Sequence, residues 1–79
     1  MTREERAFSR WVRDSVVTPT IQKWGPHAWS MFGQEMREEL ITAECMRVVL
    51  GWARSSGEVE NAAILKFYRE AMRLARPEE

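Results

Sequence analysis

Along the first 17 residues the apolar positions Phe8, Trp11, Val12 and Val16 recur at helical spacing, with Ser15 on the same side. At about 100° per residue this puts them on one helix face and Arg3, Arg6, Arg10 and Arg13 on the other. Thr2 followed by Glu5 makes a capping box, in which each side chain satisfies an orphan N–H of the first turn. The helix is expected to stop near Val17. Val16, Val17 and Thr18 are β-branched, and Pro19 disfavours helical geometry at the residue before it. A short helical or irregular segment then spans residues 18 to 26, opened by Thr18-Pro19 and closed by Trp24-Gly25-Pro26.

A second long helix is expected from Pro26 or His27 to Arg54, with Gly33 as a kink or break. Its apolar face begins as Phe32, Met36 and Leu40 and widens to Ile41, Cys45, Val48, Val49 and Trp52. So broad an arc needs contact on two sides, either as the central helix of a bundle or with a second subunit meeting Val48, Val49 and Trp52. Ser55-Ser56-Gly57 is expected to turn the chain, with Ser55 and Glu58 as a second capping box. The last helix, residues 57 to 76, puts Ile64, Phe67, Tyr68, Ala71, Leu74 and Ala75 on one face and ends at Pro77. Its other face carries Lys66, Arg69, Arg73 and Arg76, repeating the three, four, three spacing of the opening arginines. These elements predict an all-α fold, a small bundle of three main helices in one domain over residues 1 to 79.

Charge changes this picture locally. Twelve basic and twelve acidic residues cancel over 79 positions, so the overall field selects neither nucleic acid nor an anionic membrane. Residues 1 to 23 nevertheless hold five positive and three negative charges, whereas residues 24 to 45 set Arg37 against Glu35, Glu38, Glu39 and Glu44. Glu70 relieves the stripe of the last helix, and Asp14 can pair with Arg10 on the first. The opening stripe is thus the better contact surface. One cysteine, Cys45, excludes an intramolecular disulfide framework and fits a reducing compartment. The longest uncharged apolar run, Val48 to Ala53, is far too short for a membrane span. A soluble, cytoplasmic protein is expected, without membrane association.

Candidate chemistry is sparse. His27 and Asp14 are the single residues of their types, so no triad or aspartate pair can be assembled within one chain. Cys45 lies in an apolar stretch where burial suppresses reactivity. Glu35, Glu38 and Glu39 share part of a helix face but lack the histidine and second ligand helix of a carboxylate metal site. No glycine-rich phosphate loop or zinc spacing occurs. Trp11, Trp29 and Trp52 are spaced by 18 and 23 residues, unlike the even spacing of Myb-type DNA-binding domains, and Trp24 has no place in that pattern.

These features point to a non-enzymatic binding protein without cofactor or metal. It is expected to act stoichiometrically by occluding a surface of a protein or nucleoprotein, in the manner of phage- or plasmid-type accessory inhibitors of host machinery such as anti-defence proteins. Arg6, Arg10 and Arg13, with Arg3, would steer towards an acidic or phosphate-bearing surface, and Trp24 or Trp29 would anchor the contact. Lys66, Arg69, Arg73 and Arg76 form the secondary basic stripe. Direct nucleic-acid binding through the first stripe is the alternative, and a subunit of a permanent complex a further one. The arc at Val48, Val49 and Trp52 favours a homodimer.

Overall fold

The computed structural model describes residues 2–76. The fold is all-α. Helix α1, Arg3–Val12, opens on the capping box: the Glu5 N–H donates to Thr2 Oγ1 at 3.1 Å and the Thr2 N–H donates to Glu5 Oε1 at 3.3 Å. The expected stop at Val17 does not occur. A π-helical segment, Arg13–Val17, leads directly into α2, Thr18–Trp24, and the backbone stays helical at both junctions (Arg13 φ −58°, ψ −49°; Thr18 φ −60°, ψ −47°).

The π segment explains how the helix passes a proline. In a regular α-helix the Pro19 ring would collide with the carbonyl four residues back. Here the turn is widened, with the Thr18 N–H donating to the Arg13 carbonyl five residues earlier, so Pro19 enters in the first turn of α2, where a missing N–H is tolerated. The buried Thr20 hydroxyl donates to the Val16 carbonyl at 2.7 Å. Widening also brings inward residues that α geometry would splay: Val12 and Val17 stand five apart, yet both are buried together with Val16.

Gly25, at φ 91°, ends α2 in a conformation that favours glycine, and its N–H donates to the Ile21 carbonyl at 2.7 Å. Pro26 then starts α3, Pro26–Met31. The expected second helix is two helices. Phe32 (ψ 138°) and Gly33 (ψ 165°) are extended, and α4, Gln34–Ser56, begins after them. Ser55 and Ser56 do not turn the chain: they stay in α4, with their hydroxyls donating to the Gly51 and Trp52 carbonyls at 3.0 and 2.7 Å. Gly57, at φ 80°, terminates the helix. The second capping box is therefore absent. α5, Asn61–Ala75, starts four residues later than residue 57, with Glu60 at its N-terminus; the expected stop at Pro77 lies outside the described residues.

α4 packs against the π segment, α2 and α5, whereas α1 packs against α5. The long helix is thus the centre of the bundle, which accounts for its broad apolar arc. Val12, Val16 and Val17 meet Trp29, Ile41, Cys45, Phe67, Ala71 and Ala75 in one core. At one end of that core Trp11 stacks on Trp52, with ring centroids 5.3 Å apart and planes 13° apart, and Phe67 stands 5.5 and 4.9 Å from the two indoles. Offset aromatic contacts of this kind contribute beyond the area they bury.

Candidate functional site

α1 and the π segment present Arg3, Arg6, Arg10 and Arg13 as one exposed row, about 15 Å long at about 1.5 Å per residue. Among the described residues none of the four forms an ion pair or a side-chain hydrogen bond; the ion pairs present are Arg47 with Glu44 and Arg73 with Glu70. The expected Asp14–Arg10 pair is not formed, and Asp14 is exposed. The row is carried by a capped helix whose opposite face packs on the core through Val12, with Phe8 half-buried beside it.

The two tryptophans paired with this row have separate fates. Trp24 is 43% exposed at the end of α2 and meets Phe32 edge to face, with centroids 5.6 Å apart. Trp29 is 8% exposed and cannot serve as an exposed anchor, which corrects the expectation. Arg37 fixes it in place, donating from Nε to the Trp29 carbonyl at 3.2 Å and lying 5.6 Å from its ring centroid. A cation over an indole face is held by the ring quadrupole.

Two residues of the secondary stripe make contacts within the chain. Lys66 lies 4.9 Å from the centre of the Phe8 ring, and Arg73 pairs with Glu70 and donates to Ser9 Oγ at 3.2 Å. Lys66 and Arg73 thus reach across to α1, although all four residues of this stripe are exposed. Val48, Val49 and Trp52 are half-buried against the core, so they do not present the free face expected for self-association. The exposed apolar residues of α4 are instead Met46 and Leu50, at 62% and 57%, with Met36 nearby on the same helix. A signal for that face was present in the sequence: Met36, Ala43, Met46, Leu50 and Ala53 follow a three-and-four repeat.

The remaining chemistry-bearing groups stand apart. Glu35, Glu38 and Glu39 are exposed, and Glu38 accepts from Gln34 Nε2 at 3.1 Å. No group of three histidine, cysteine, aspartate or glutamate side chains suited to a metal ion occurs among the described residues. His27 is exposed in the first turn of α3. Cys45 is buried, and burial, with a smaller contribution from the Glu44 charge, pushes its thiol up to about 11, which keeps it neutral and unreactive. No helix of the described residues is long and apolar enough to cross a membrane.

Comparison with known proteins returns no matching family, no matching curated protein and no matching solved structure.

Proposed function

We propose that this chain is a non-enzymatic binding protein that works stoichiometrically, occluding an acidic or phosphate-bearing surface of a protein or nucleoprotein partner. One observation carries the reading: four guanidinium groups lie along one continuous helix with no carboxylate partner among the described residues. Unpaired arginines are well suited to bidentate capture of carboxylate or phosphate. Arg6, Arg10 and Arg13 form the centre of the contact, Arg3 its edge, and Trp24 supplies an aromatic anchor at the far end of the same continuous helix. Phage- or plasmid-type accessory inhibitors of host machinery, anti-defence proteins among them, belong to this functional class. Such a protein fits a cytoplasmic setting.

The test is affinity capture with the native chain and with a variant carrying R6E, R10E and R13E. The variant should keep its helical circular dichroism and lose the captured partner; unchanged capture overturns the reading. The same row favours a second reading, direct binding of nucleic acid. A mobility-shift salt series on short duplex and single-stranded probes separates the two, because phosphate contacts release counterions and give a steep loss of affinity with salt.

A further inference from the structure

We propose that the outer face of α4 pairs antiparallel with the same face of a second copy of this chain. Met36, Ala43, Met46, Leu50 and Ala53 recur every three or four residues along α4, and all five are exposed. Glu39 fills the one gap in that repeat. Spacing of this kind marks a helix-pairing seam. Beside it, Met46 and Leu50 border a groove shared with Ile64, Phe67 and Tyr68 of α5, and no polar atom lines its surface. The strip, interrupted at Glu39, and the groove together form one exposed apolar face.

The occupant follows from the way the seam complements itself. In the antiparallel register that sets Met46 against Ala43 of the second copy, Ala53 falls opposite Met36, so a large side chain meets a small one in each of these layers. Leu50 falls opposite Glu39 in that register. Arg47 and Arg54 flank Leu50 at three and four residues, and Arg54 is exposed with no ion-pair partner among the described residues. Each copy thus offers a guanidinium where the other brings its one seam carboxylate. By two-fold symmetry the contact is made twice. A foreign apolar helix could cover the methionines, but nothing in the seam would then answer Glu39 and Arg54 together. The seam is about 26 Å long and about 10 Å wide, about 260 Å² on each copy before the groove is added, which is below the size of stable interfaces, so the dimer should be weak and dissociate on dilution.

Sedimentation equilibrium over a concentration series tests this, with circular dichroism confirming that each variant is folded. The native chain should pass from monomer to dimer mass. M46E, which places a carboxylate in the seam at an already exposed position, should raise the dissociation constant about 100-fold or more. E39R and R54E should each raise it about 10-fold through like-charge contacts, and the E39R/R54E double variant should return it to near the native value. A monomer mass throughout the series, a dimer indifferent to M46E, or a double variant no better than the single ones would overturn the proposal. The first stripe lies on another helix, so loss of partner capture through R6E, R10E and R13E and loss of dimerisation through M46E are separable results.

Discussion

Replacing Phe67 by alanine should remove a large part of the stability of this fold. Phe67 is 1% exposed and is the largest fully buried side chain of the core, touching the Trp11–Trp52 stack from the α5 side. Truncating a buried phenylalanine costs about 3 to 5 kcal/mol, because the lost transfer energy is joined by the cavity left behind. A chain of 79 residues has about 4 to 12 kcal/mol of total stability at about 0.05 to 0.15 kcal/mol per residue. With a urea dependence of about 1 to 1.5 kcal/mol per molar for so small a domain, the midpoint should fall by about 2 to 5 M. Tryptophan fluorescence and far-UV circular dichroism should report the transition together, since two of the four indoles adjoin the cavity. The measurement belongs in the M46E background, where dimer dissociation adds no concentration dependence. Met31, which is 74% exposed, provides the control: its alanine variant should stay within about 0.5 kcal/mol of the parent. If F67A and M31A unfold at the same urea concentration, the core is not organised around Phe67 and the packing argument fails.

Two other outcomes follow from buried polar groups. T20V keeps the side-chain volume but removes the hydroxyl bonded to the Val16 carbonyl, and should destabilise by about 1 to 2 kcal/mol; thermal unfolding that matches the native chain would show that the bond contributes nothing. Cys45, with its thiol raised from 9.0 to about 11, should react with an aromatic disulfide reagent at mildly alkaline pH far more slowly in the native chain than in urea. The unfolded thiol ionises first, so this group's contribution to stability is present below pH 9 and is lost as pH rises towards 11. Prompt reaction of the native chain would contradict the burial.

Local chemistry was legible at the start of the first helix. Thr2 and Glu5 form their capping box because both partners lie three residues apart, and neither needs the rest of the fold. Gly33 was ambiguous and proved to be a break, through extended backbone that also includes Phe32. Pro19 misled for a physical reason: the rule that a proline ends the preceding helix assumes α geometry, and one wider turn removes the clash. Ser55 and Ser56 carry turn chemistry, but their hydroxyls bond back to carbonyls four residues earlier and leave the helix intact. At the site, exposure of the arginine row followed from its position opposite the apolar stripe. The fate of Trp29 did not, because its burial depends on the core that the other helices bring to it. The broad arc of α4 did not reveal which of its flanks the other helices would cover, and that depends on where α2 and α5 pack.

The π segment holds one more residue than an α-turn of equal rise, and this sets a phase between the two ends of the first helix. Were all of its residues to close in α register instead, everything downstream would rotate by about 100° relative to everything upstream. Arg3, Arg6 and Arg10 lie before the extra residue; Thr20 and Trp24 lie after it. The angle between the arginine row and the exposed indole is therefore a setting that one inserted residue defines, and the same insertion turns Val17 inward. In such a helix, length and orientation are not independent quantities.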